Sequence, residues 1–167
     1  MSTENQPAIA LSIRQPWATL LVCGLKSIEV RAWPTDRTGS VLIHASRTPD
    51  DRKLGWELIP ADFQNIANLR GGIIGISELT GCIAYRSAES FSSDRKKHLN
   101  DPSWFRGPVL YGFTFTAARP IPFRRYPGWM RFFSVRQELP RTRESRQFPE
   151  FRCDVRDKSP DSSERGT

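Results

Sequence analysis

Residues 26 to 31, Lys-Ser-Ile-Glu-Val-Arg, place an amine, a carboxylate and a guanidinium close together in the chain. Strict alternation across Ser27–Trp33 predicts a strand with Ser27, Glu29, Arg31 and Trp33 on one face and Ile28, Val30 and Ala32 on the other. An acid and a base therefore share a face. A second carboxylate comes from Ile73-Ile-Gly-Ile-Ser-Glu-Leu79, where the same alternation puts Glu78 on the side of Ile74 and Ile76. A carboxylate on an apolar face is either paired or at the rim of a pocket, because burying it alone costs several kcal/mol. Lys26 and the Glu29/Arg31 face are its expected partners. Two readings follow: an ion pair that closes one end of the fold, or a pocket. In a pocket, Lys26 held against Glu29 and Glu78 positions a polar ligand and, once desolvated, acts as a base.

A different chemistry is concentrated later in the chain. The stretch from 102 to 137 contains Arg106, Arg119, Arg124, Arg125, Arg131 and Arg136 and no acid. Trp104, Phe105, Tyr111, Phe123, Tyr126, Trp129, Phe132 and Phe133 are interleaved with them. Cations mixed with flat rings suit a surface that tracks phosphates and stacks bases. Phe113, Phe115 and Phe133 are assigned to the core on their alternation. Pro122, Pro127 and Gly128 place Phe123–Trp129 on a loop. Arg14 and Gln15, just before a predicted helix, are candidates for an anion site.

The elements that must position these groups are short. Ile9–Ile13 reads as a strand, and Gln15–Gly24 as a helix with Pro16 in its first turn, Gly24 at its exit and Trp17, Leu20 and Leu21 on one buried face. Ser40–Ser46 is a strand, 49–68 a polar and helical region, and Gly72–Ala84 a long β run. A polar connection spans 86–103, and Pro108–Thr116 and Phe132–Leu139 supply the last strands. About six strands with two or three short flanking helices, without regular βα alternation, predict an α+β fold around a small barrel.

Composition bounds the function classes. The chain has 167 residues and a net charge of +7, from 25 basic and 18 acidic side chains. That describes one basic domain, with no apolar run of about 18 residues to span a membrane. Residues 140–167 carry seven basic and six acidic side chains with few apolar ones, so the excess charge belongs to 1–139 and the tail reads as disordered. Residues 1–8 are read as a flexible, signal-free N-terminus, consistent with a cytoplasmic protein, or a nuclear one in a eukaryote. Cys23, Cys82 and Cys153 are odd in number and unpaired in spacing, and with only His44 and His98 no metal or cofactor is expected. Cys23 and Cys82 are read as small buried side chains, Trp33 and Trp56 as packing residues, His44 as a satisfied barrel histidine, and Arg95–His98 as a solvated run.

The motifs Ala10-Leu-Ser-Ile-Arg-Gln-Pro-Trp-Ala18, Gly24-Leu-Lys-Ser-Ile-Glu-Val-Arg31, Gly39-Ser-Val-Leu-Ile-His-Ala45 and Gly75-Ile-Ser-Glu-Leu79 together resemble the ASCH domain, over about residues 9–139. Weaker matches follow at 104–112 and 131–135. The resemblance implies a PUA-like β-barrel with a cleft proposed to bind RNA or other nucleic acid, DNA being the expectation for the coactivator domain that gave the family its name. One small bacterial branch of similar fold hydrolyses the amide of acetylcytidine with a Lys, a Thr three residues later and a Glu on a later strand. These positions fall on Lys26, Glu29 and Glu78. Glu29 stands where the nucleophilic Thr would be, and a carboxylate cannot make the same hydroxyl attack. Ser27 lies about 7 Å along the strand from it.

The leading expectation is a nucleic-acid-binding module, RNA before DNA. Arg14, Lys26, Arg31, Arg124, Arg125 and Arg131 would hold phosphates, Trp17 or Trp129 would stack on a base, and Glu29 and Glu78 would read its polar edge. The alternatives are a small hydrolase using Lys26, Glu29 and Glu78, and a protein-interaction domain acting through the aromatic surface or the tail. No membrane partner is expected.

Overall fold

The structure is a computed structural model that describes residues 7–136. The tail and the first six residues lie outside the described residues, and with them Cys153. The strands are β1 (Ala8–Ile13), β2 (Ile28–Arg31), β3 (Gly39–Ala45), β4 (Gly72–Tyr85), β5 (Leu110–Arg125) and β6 (Phe132–Val135). The helices are α1 (Trp17–Val22), α2 (Lys53–Glu57), α3 (Gln64–Ala67), α4 (Ala88–Ser93) and α5 (Arg95–His98). Single 3-10 turns at Ala61–Phe63 and Pro102–Trp104 complete the elements. The strands form one curled half-barrel sheet in the order β2-β5-β4-β3-β1-β6, an α+β fold as the patterning predicts. None of these helices is long and apolar enough to cross a membrane.

Helix α1 fills the concave side of the sheet. All six of its residues are buried, so its single predicted apolar face understates it. A helix that is buried all round has to approach its neighbours closely, and Gly75 of β4 permits this. A Cβ there would lie 2.3 Å from a Val22 methyl. Leu11, Ile13, Ile43, Leu79, Phe113 and Phe115 pack around the helix.

Two sequence expectations change. Register between β3 and β4 shifts at Ile43/His44, where Ile74 is the extra residue of a bulge. The bulge resets the alternation: Gly75, Ser77 and Leu79 turn inward, and Glu78 is exposed on the outer face. It therefore does not share a face with Ile74. Strand β5 also runs on through Pro120, Pro122 and Phe123–Arg125 instead of ending at Thr116. Its pairing with β2 covers only Tyr111–Thr114, so the later residues have one free edge, where a missing N–H is tolerated. Arg124 and Arg125 consequently lie on a strand, and the loop is only 126–131.

The polar connection 86–103 is ordered. His98 is fully buried and stacks on Phe91 at 4.2 Å, with its Nε2 donating to the Phe91 carbonyl at 2.7 Å. Lys97 pairs with Asp94 at 2.8 Å, and its carbonyl accepts the Ser27 amide at 3.0 Å, tying α5 to the start of β2. The short basic run is thus a structural turn as well as a charged surface. Cys23 and Cys82 are half-buried.

Candidate functional site

The half-barrel is open between its edge strands β2 and β6, and side chains bridge the gap. Arg31 Nη2 at the end of β2 donates to the Ser12 carbonyl of β1 at 2.7 Å. Trp33 packs edge-on against Phe113 and Phe132, 4.8 and 5.6 Å between ring centroids. A cleft of about 920 Å³ lies over this seam, walled by β1, β2, the end of β3, the segment 46–52 and the loop 127–131.

The β2 wall is a line of charges. Lys26 is 2% exposed, and its amine donates to the Ile28 carbonyl and pairs with Glu29 at 2.9 Å. Glu29 pairs in turn with Arg31 at 3.2 Å. Burial pulls the Lys26 pKa below its ordinary value, with Glu29 opposing. Taking one partner from such a buried array leaves an uncompensated charge, at a cost of about 3–5 kcal/mol. Lys26 therefore works from behind the wall: it holds Glu29, which holds Arg31. Arg31 Nε is buried without an acceptor among the described residues.

The floor uses a second carboxylate. Asp50, 4% exposed, accepts from Trp17 Nε1 at 2.9 Å and from the Arg52 guanidinium, which is the main reason its carboxyl sits well below the usual range. Arg52 also lies over the Trp104 ring at 3.7 Å, and Trp104 meets Trp17 edge-on. Both carboxylates of the cleft are thus already committed to cations. Against them stand the guanidiniums of Arg14, Arg31, Arg47, Arg52 and Arg131, so the cleft is net positive.

The third wall depends on strand neighbours. Ser12 of β1 and His44 of β3 are register partners in a parallel pair. Ser12 Oγ lies 2.9 Å from His44 Nδ1, and His44 Nε2 lies 2.9 Å from the Tyr126 carbonyl. A carbonyl only accepts, so Nε2 carries the proton, and Nδ1 of the neutral ring accepts from the serine hydroxyl. Burial keeps the His44 pKa below its ordinary value. The loop 126–131 lies directly on this pair. A Cβ on Gly128 would be 2.4 Å from His44 Cε1 and 2.8 Å from Ser12 Oγ. Beyond it, Trp129 is 54% and Met130 91% exposed, while Arg131, at φ 62°, turns its guanidinium over Trp33 at 5.2 Å.

Of the residues singled out in the sequence, the cleft gathers Arg14, Trp17, Glu29, Arg31, Trp129 and Arg131. Lys26 lies buried behind the lining, and four others stand elsewhere. Gln15 is fully buried: its amide donates to the Ile66 and Leu69 carbonyls, and its oxygen accepts the Thr19 amide, occupying the donor an anion would have used. Arg124 donates to the Arg136 carbonyl at 3.1 Å, outside the cleft lining, as is the exposed Arg125. Glu78 has no ion pair among the described residues, so the expected Lys26–Glu78 pairing is replaced by Lys26–Glu29. Ser12, Arg47, Asp50 and Arg52 were not singled out, and His44, read as a satisfied barrel residue, has both nitrogens satisfied but also lines the cleft. The signal for Arg47, Asp50 and Arg52 was the polar Ser46–Arg52 run after an apolar strand, which marks a loop at a sheet end.

Comparison with known proteins supports the architecture. No curated protein matches the sequence. Among solved structures, the ASCH protein of Zymomonas mobilis superposes with a TM-score of 0.55 at 14% identity, covering 80% of this chain and 90% of that one. Its tyrosine-to-phenylalanine variant gives 0.56 at 15%, covering 79% and 92%. Its serine-to-alanine variant gives 0.56 at 14%, covering 80% and 91%. At such identity the likeness concerns the fold. The family model described as "ASCH domain" matches residues 11–138, and on that match the chain belongs to the ASCH domain family.

Proposed function

We propose that the cleft binds single-stranded nucleic acid, RNA in preference to DNA, as an intracellular protein. The observation that carries this reading is the convergence of the five cleft guanidiniums with the indoles of Trp17, Trp33 and Trp129. Guanidiniums suit phosphate oxygens, and an exposed indole such as Trp129 is a stacking platform for any base. Glu29, set between Lys26 and Arg31, offers its remaining acceptor capacity to a base edge. Membership of the ASCH domain family carries the expectation of nucleic-acid binding, and the Zymomonas mobilis structures share the fold.

A hydrolase of the acetylcytidine type loses ground, because Glu78 faces away and Lys26 is sealed behind Glu29. The test is binding of a labelled RNA oligonucleotide, and of the same sequence as DNA, across a salt series. Arg47→Glu and Arg131→Glu should each weaken binding and reduce the slope of log K against log salt by about 0.7 per lost phosphate contact. Binding that is independent of salt, or unchanged in both variants, overturns the reading. A partner retained from lysate after nuclease treatment would instead favour a protein-interaction role.

A further inference from the structure

The pair Ser12–His44 has the layout of an activated nucleophile, and it sits in the cleft wall. We propose that Ser12 is an acyl-accepting nucleophile with His44 as its general base, acting on carboxylic esters that carry an anionic group. Four observations support this. The hydroxyl lies 2.9 Å from Nδ1, the unprotonated nitrogen of a neutral ring whose Nε2 donates to the Tyr126 carbonyl. That carbonyl plays the part of the third, orienting group of a nucleophile–base–orienter set. Ser12 is half-buried and lines the cleft, with Gly128 of the loop 126–131 close over its oxygen. Finally, Arg31 is anchored on the carbonyl of Ser12 and lines the same cleft, which keeps a guanidinium in the wall that carries the hydroxyl.

The steps balance as simple ester hydrolysis. Ser12 Oγ forms a bond to the carbonyl carbon while its proton moves to His44 Nδ1. The tetrahedral intermediate collapses, the carbon–oxygen bond to the leaving group breaks, and that oxygen takes the proton from Nδ1. Water then attacks the acyl-serine with His44 again taking the proton, releasing the acid and restoring Ser12. The substrate preference follows from the walls: the guanidiniums of Arg14, Arg47 and Arg131 select an anion, and Trp33 and Trp129 select a ring. This activity does not depend on RNA binding.

The experiment offers the protein two aryl acetates, phenyl acetate and its 4-carboxylate analogue 4-acetoxybenzoate, and follows phenol release and peptide mass. An acetyl group mapped to Ser12, faster turnover of the charged ester, and a loss of about 100-fold or more in Ser12→Ala support the proposal. His44→Gln should lose a similar factor. Should Ser12→Ala fail to fold, Ser12→Cys keeps a small nucleophile, and its new thiol should react with iodoacetamide faster when His44 is present than when it is Gln. No acyl-Ser12 in the wild type, with thiol reactivity in Ser12→Cys indifferent to His44, overturns it. RNA binding by the wild-type protein, measured separately, shows whether the binding reading stands or falls on its own.

Discussion

The two walls of the cleft use polar residues in opposite ways. On the β2 side, Lys26, Glu29 and Arg31 form a line in which each charge is neutralised by the next, and Lys26 is almost without exposure. On the opposite side, the loop 126–131 holds itself through backbone atoms: the Tyr126 carbonyl on His44, and the Cα of Gly128 against Ser12 and His44. That leaves the side chains of Trp129, Met130 and Arg131 outward. One wall commits its charged side chains largely to one another, and the other is seated by its backbone and by the Tyr126 and Trp129 rings on Phe133, with Met130 left most exposed. Residue type alone does not separate these roles; burial does.

The contrast between the walls is disrupted most severely by Lys26→Ala. It should destabilise the fold by about 3–5 kcal/mol, seen as a lower urea midpoint, because Glu29 loses its buried partner. A change below about 1 kcal/mol would mean that the array is not a structural unit. Gly128→Ala comes next, at about 1–3 kcal/mol, because the added methyl must push the loop off His44 and Ser12. Amide exchange at 126–131 should rise with it. Trp129→Ala should lower stability by only about 0.5–1.5 kcal/mol, the loss of its ring contacts with Tyr126 and Phe133, and cost about 1–3 kcal/mol in RNA affinity, the expected loss for one stacked base.

A smaller effect is expected from pH. His44 and His98 both have pKa values lowered by burial from 6.5, so the unfolded chain binds the proton more readily. Their contribution is fully present above about pH 6.5 and is lost as pH falls from there toward the folded values, at up to about 1.4 kcal/mol per pH unit for each histidine. Stability titrated from about pH 7.5 to about pH 5.5 should fall, and the fall should be shallower in His44→Gln. Glu78→Gln should do least, within about 0.5 kcal/mol in stability, as suits a solvated carboxylate on the outer face of β4.

Much of the architecture was legible. Alternation marked β1 to β4 within a residue or two, and the motif around Gly24–Arg31 carried the family. The pairing of Lys26 with Glu29 is also local, an i,i+3 contact leading into a strand. Legibility failed where a pattern crossed an irregularity. Prolines that signal a loop in isolation were tolerated in β5 because its second edge is free there. In the 86–103 connection, helices of four to six residues are too short to show periodicity.

The strands, the charge excess, the concentration of arginine and indole, and the ASCH family are all written in neighbouring residues, so the order of amino acids was enough to specify them. Three things arose only on folding. One residue of bulge at Ile74 turned Glu78 outward. Strand order β3-β1 brought Ser12 to His44 across 32 residues of chain. A glycine with no side chain let the loop 126–131 lie on that pair. The physical reason is common to all three: alternation and spacing encode which way a side chain points within one strand. Register and neighbour choice between strands are set by what can pack around α1, and that is a property of the whole fold.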